Sequence, residues 1–102
     1  MKFIDMTTGL VKISQEHSLD MIDLLILHHV YLHNESEKSI YIMDIPKLFN
    51  WVSLDTIRRR LKSLIAYDYL VAGGSEDARC KELRIGSQAW NVIRLIERAE
   101  VC

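Results

Sequence analysis

Apolar residues recur at helical spacing along four stretches of the chain, and β-branched and apolar residues cluster at strand-like spacing in shorter ones. Leu19, Ile22, Leu25, Ile26 and Val30 make the first stripe, which runs to about His33 and takes in Leu32 or His33 at its end. Recurrence every three or four residues puts one helix face on a core. Ser18 stands just before it as the N-cap. A second, short helix is expected from Asp44 to about Phe49, capped by Asp44, with Ile45, Leu48 and Phe49 inward. Pro46 falls in its first turn, where no intrahelical N–H bond is lost. The third stripe, Ile57, Leu61, Leu64 and Ile65, predicts a helix over 53–68. Ser53 is its cap and Asp55 suits the dipole of its first turn. It should stop near Asp68, because aspartate tolerates the left-handed conformation that ends many helices. The last helix spans 87–100, with Ser87 as cap. Ala89, Ile93 and Ile96 make one stripe, while Trp90, Val92, Leu95 and Ala99 fill neighbouring ones. So wide an apolar arc exceeds what one small domain covers, and a second copy packing there is favoured over a monomer.

Between these helices, 39–42 reads as a short edge strand and 69–72 as a second. Gly73 to Asp77 makes a turn, and 80–85 returns with Leu83 and Ile85 on one face. Gly86 breaks the strand. Residues 1–16 form either two short strands around Thr7-Thr8-Gly9 or an arm that packs on a partner. The expected class is α+β, mainly α: a winged helix-turn-helix with a two- or three-stranded antiparallel wing sheet and a C-terminal helix.

A length of 102 residues bounds the chain to a single domain, 1–102, with a modest core drawn from 49% apolar residues. The net charge of -1 hides an asymmetry. Residues 1–52 carry four basic and seven acidic side chains, a net of -3, whereas 53–84 carry seven basic and five acidic, a net of +2. Local field matters more than total charge for docking on phosphates. Cys80 and Cys102 make neither a disulfide framework nor a metal-ligand spacing, which suits free thiols in the cytoplasm. The first residues lack a signal-type apolar run. The segment from Met21 to Leu32 is interrupted by Asp23, His28 and His29, so no membrane span is expected. No nucleophile elbow, phosphate-cradling glycine loop or acid pair supports catalysis, and no cofactor is implied.

The short second helix, a tight turn at Asn50-Trp51 and the capped third helix follow the helix-turn-helix layout, whose second member enters a DNA major groove. Arg58, Arg59 and Lys62 point away from the core stripe, with Arg60 on a flank. A bare basic cluster on one helix is usually a solvated face, but the cap before it and the hairpin after it favour contact with double-stranded DNA. Ser53, Asp55 and Thr56 open the helix and are placed to meet base edges or phosphates; arginine suits guanine or phosphate. Arg79 in the wing is a candidate for the minor groove, and Lys81 for a phosphate. His29 and His33 are four apart on one face, but nothing supplies the further ligands a metal needs, and junction polarity is the simpler reading. Trp51, Trp90, Tyr67 and Tyr69 are read as packing residues.

This order of elements resembles the winged helix-turn-helix of MarR-type transcriptional regulators over about residues 18–98. The resemblance is most specific in V52-S-L-D-T-I-R-R-R-L-K-S-L-I-A-Y-D-Y-L-V71 and E76-D-A-R-C-K-E-L-R-I85. It implies that Asp77-Ala78-Arg79 is the wing motif, in which the arginine reaches the minor groove and the aspartate holds it. Members of the family dimerise through long terminal helices; here the apolar C-terminal helix and the N-terminal arm are the expected homodimer surfaces. The chain departs from the pattern at Asp68, where glycine is usual, at Ile85-Gly86, and in its shorter length. The rival expectations are a winged-helix protein-interaction module without DNA binding, and a ligand- or metal-sensing version using the histidines.

Overall fold

The computed structural model describes residues 19–74, 76–77 and 80–101, the last three by backbone alone. The elements run α1 (Met21–Glu35), α2 (Ile45–Leu48), α3 (Leu54–Ala66), β1 (Leu70–Gly73), β2 (Glu82–Ile85) and α4 (Trp90–Val101). Single 3-10 turns lie at Ile42–Asp44 and Ser87–Ala89. The N-terminal arm expected at 1–16 and the cap expected at Ser18 lie outside the described residues.

α1 opens on a reciprocal cap. The Asp20 carboxylate accepts the Asp23 N–H at 2.9 Å, and the Asp23 carboxylate accepts the Asp20 N–H at 3.0 Å. This satisfies a first-turn donor for which the helix itself has no acceptor. Leu24, Ile26, Leu27 and Val30 are buried, whereas Ile22 and Leu25 are half-buried and Leu32 is exposed. The inward stripe thus sits beside the one expected. α1 touches β2, α3 and α4, and a helix covered on several sides is poorly described by one stripe.

Asp44 does not cap α2. It adopts helical backbone angles, and its carboxylate accepts the Tyr41 N–H at 2.9 Å. The 3-10 turn running straight into α2 has made Asp44 an interior residue and given its oxygen to the residue before the turn. Ser53 does cap α3, accepting the Thr56 N–H at 3.2 Å. α3 buries Ile57, Leu61 and Leu64 and ends in a left-handed residue, Asp68, at φ 66°. There the Tyr69 N–H reaches the Leu64 carbonyl at 2.9 Å and the Asp68 N–H reaches Ile65 at 3.2 Å. These are the two bonds of a Schellman motif, which satisfies the carbonyls a helix end leaves over.

β1 and β2 pair antiparallel, Leu70 with Ile85 and Ala72 with Leu83 on the inner face, Val71 with Arg84 and Gly73 with Glu82 on the outer. Leu70 and Leu83 are fully buried. The edge strand expected at 39–42 is a single bridge, Tyr41 to Glu82, flanked by Leu83 N–H to Ile40 carbonyl at 2.8 Å and Ile42 N–H to Lys81 carbonyl at 3.0 Å. Asn34, at the end of α1, clips this sheet: its amide donates to the Leu83 carbonyl at 3.3 Å and accepts the Ile85 N–H at 3.0 Å. At Gly86 the chain passes so close to the α3–β1 corner that a Cβ would lie 2.2 Å from the Asp68 carbonyl oxygen. Ser87 does not cap the last helix; its hydroxyl donates to the Asp68 carboxylate at 2.9 Å. Val92, Ile93 and Ile96 of α4 join the same buried cluster as α1, α3 and the hairpin.

Candidate nucleic-acid interface

α2, the turn at 49–53 and α3 form the helix-turn-helix, with Ile45 and Phe49 buried beneath it. Arg60 is not idle on the flank. Its guanidinium lies 2.6 Å from Asp20 and 3.9 Å from Asp23, which ties α3 to the first turn of α1. Asp23 is 4% exposed, and its Oδ1 has no hydrogen-bond partner among the described residues. Burial pushes its pKa up to about 6; the bond from the Asp20 N–H opposes that rise, the Asp20 charge adds to it, and Arg60 opposes it.

On the opposite side of α3, Arg58, Arg59 and Lys62 are exposed. Arg59 lies 3.5 Å from Asp55, one turn earlier, and both side chains are largely in solvent. Such a pair holds its members loosely. Arg58 and Lys62 have no carboxylate within 4 Å among the described residues. Four residues apart, they share a face, beside an open groove lined by Ile42, Leu61 and Ile65. Ser53 and Thr56 are engaged with each other. Besides the cap bond, the Ser53 hydroxyl donates to that of Thr56 at 2.8 Å.

In the hairpin, Lys81 is half-buried at the entrance to β2, and Arg84 lies 2.8 Å from Glu82. Arg79 lies outside the described residues. Asp77 is exposed, and its carbonyl accepts the Cys80 N–H at 3.0 Å. The structure therefore gathers Arg58, Arg59 and Lys62 on one ridge, sets Ser53, Asp55 and Thr56 at its start, and leaves Lys81 apart on the sheet.

Two aromatic residues expected to pack do not. Trp51 is 66% exposed at the tip of the helix-turn-helix, touching Phe49 edge-on, and Tyr67 is 70% exposed at the end of α3. A turn residue belongs to no periodic stripe, so its neighbours in sequence do not say which way it faces. Leu48 and Leu54 are also exposed around the same turn. Trp90 is partly exposed, with Tyr31 edge-on against it.

The histidines serve the junction of α1 with α2. His29 lies edge-on to Phe49, and His33 Nδ1 is 2.9 Å from the His29 carbonyl. Burial, with His33 and His28 nearby, holds His29 below the ordinary imidazole range. Among the described residues, no group of three metal-ligating side chains comes together, and no helix is long and apolar enough to cross a membrane.

No protein-family model and no curated protein matches the chain. Solved structures do. The chain is similar to the transcriptional regulator Tm0710 from Thermotoga maritima, with a TM-score of 0.77 at 21% identity, over 97% of this chain and 66% of that one. It is also similar to the adhesin competence repressor AdcR from Streptococcus pyogenes, with a TM-score of 0.61 at 20% identity, over 95% of this chain and 69% of that one. The chain thus spans about two thirds of the length of either regulator. Likeness at such low identity carries architecture rather than activity. The architecture is the winged helix-turn-helix fold of MarR-type transcriptional regulators.

Proposed function

We propose that the chain is a sequence-specific, double-stranded DNA-binding transcriptional regulator, with helix 53–68 in the major groove and wing 72–84 in the minor groove. The observation that carries this reading is the ridge on α3. Arg58 and Lys62 stand exposed, side by side and without an acidic partner among the described residues, on the second helix of a helix-turn-helix. That helix is held from behind by its apolar stripe and by Arg60, so the cations are presented by a rigid element. In this reading Arg58 contacts a guanine edge or a phosphate, and Lys62 and Arg59 contact phosphates. Ser53, Asp55 and Thr56 shape the entry of the helix, while Lys81 and Arg79 of the wing meet the backbone and the minor groove. The protein acts as a homodimer through its C-terminal helix and N-terminal arm. Its two reading helices then lie roughly 34 Å apart and call for a near-palindromic site.

The experiment is selection of bound duplexes from random DNA, followed by affinity measurements at several salt concentrations. The reading expects one enriched motif and an affinity that falls steeply with salt, by about 0.9 logarithmic units per phosphate contact for each tenfold rise. Arg58→Ala should weaken the selected site by about 1–3 kcal/mol if it makes a bidentate base contact. The rival reading, a winged-helix protein-interaction module, draws on the exposed Leu48, Trp51 and Leu54 around the turn and on the near-neutral total charge. Absence of duplex binding at low salt would favour it.

A further inference from the structure

Resting on the DNA-binding reading above, we propose that Leu54 packs against the C5-methyl group of a thymine in the half-site that Arg58 also contacts. Leu54 is the first residue of α3 and is 47% exposed, whereas Ile57, Leu61 and Leu64 of the same helix are at most 4% exposed. About half of this leucine is left to solvent. The polar groups around it, the natural readers at the start of such a helix, have partners of their own within the first turns. The Ser53 and Thr56 hydroxyls bond each other at 2.8 Å, and Asp55 pairs with Arg59. The first turn therefore offers an incoming major groove a branched apolar side chain.

Leu54, Arg58 and Lys62 follow one another at intervals of four, so they form a row on one face. One interval advances about 6 Å along the helix, and base pairs are stacked about 3.4 Å apart. Because the major groove runs obliquely across the base pairs, residues one turn apart on a helix lying in it meet successive bases, so the base under Leu54 is about one step from the contact of Arg58. Among the four bases, thymine presents a methyl group in the major groove, and apolar side chains recognise it by contact. The row thus reads an apolar group first, then a guanine or phosphate.

The test uses the full chain and the duplex obtained by selection. Each thymine is replaced in turn by deoxyuridine, which removes the methyl group and leaves the hydrogen-bonding edge unchanged. One position in each half-site should then bind about fourfold more weakly, the factor that burying a single methyl-sized group corresponds to. Leu54→Ala should bind the thymine and deoxyuridine duplexes equally, while its melting temperature falls by only a few degrees, because about half of the side chain already lies in solvent. Leu54→Met should restore the preference for thymine. The inference is overturned if every deoxyuridine duplex binds the unaltered protein as tightly as its parent, or if Leu54→Ala keeps the full discrimination. A chain that binds no duplex overturns the DNA-binding reading and this one together, whereas salt-dependent binding without methyl discrimination overturns this one alone.

Discussion

Replacing Asp23 with asparagine should change how the stability of this protein depends on pH. Asp23 is buried in the first turn of α1, where one of its oxygens accepts the Asp20 N–H and the other has no partner among the described residues. Burial raises its pKa from the usual 3.8 to about 6. Below pH 3.8 the carboxyl is neutral in both the folded and unfolded chain. Between about 4 and 6 the folded protein holds a proton that the unfolded chain releases. Stability is therefore fully present at low pH and declines as the pH rises through about 6. A difference of about two pH units, at 1.36 kcal/mol each, amounts to about 3 kcal/mol. Asparagine keeps the shape and the oxygen that accepts the Asp20 N–H, but never ionises. Urea unfolding of both proteins at half-unit steps from pH 4 to 7.5 would measure this, since carboxylates remote from Asp23 cancel in the difference. Relative to the parent, the variant should gain about 3 kcal/mol between pH 4 and 7. Parallel curves would refute the reasoning. A parent protein that gains stability on the variant as pH rises would refute it more sharply, by showing that Arg60 outweighs burial.

Gly86→Ala should destabilise the fold by about 3 kcal/mol or more, from overpacking against the Asp68 carbonyl and loss of the bond from Gly86 N–H to Tyr69. Gly73→Ala, where the added carbon meets nothing within 4 Å, should stay within about 1 kcal/mol; thermal melts of both variants check the contrast. Asn34→Ala should cost about 2 kcal/mol, since it removes both bonds that clip α1 to β2; hydrogen exchange at Ile85 should accelerate with it. Asp55→Asn should tighten DNA binding at low salt, because Arg59 no longer has to leave a carboxylate to reach its phosphate. Unchanged affinity would place Arg59 away from the phosphates.

Periodicity along the chain was enough to find α1, α3 and α4, the hairpin between α3 and α4, and the basic ridge of Arg58, Arg59 and Lys62. It was enough because each is a local property. The turn of a helix fixes which residues share a face, and a strand alternates its sides. The left-handed stop at Asp68 was legible for the same reason, since it depends on one residue's backbone freedom. The exchange of caps between Asp20 and Asp23, although a pattern of neighbours, was obscured by Ser18, an equally plausible cap nearby.

What tertiary structure decided is which of these local faces meet. Arg60 and Asp20 are forty positions apart, and only the crossing of α3 over the start of α1 makes them partners. Asn34 falls just past the expected end of the first helix, and only the arrival of β2 beside it gives its amide partners. Asp23 looks like an interruption in an apolar run until packing buries it and raises its pKa. Trp51 and Tyr67 sit at helix ends, where no repeat assigns a side, and the fold leaves them outside. Hydrophobic spacing reports how far each residue prefers to be from water. Hydrogen bonds and ion pairs require two groups to come within about 3 Å at a suitable angle, and that coincidence is set by the packing of whole elements.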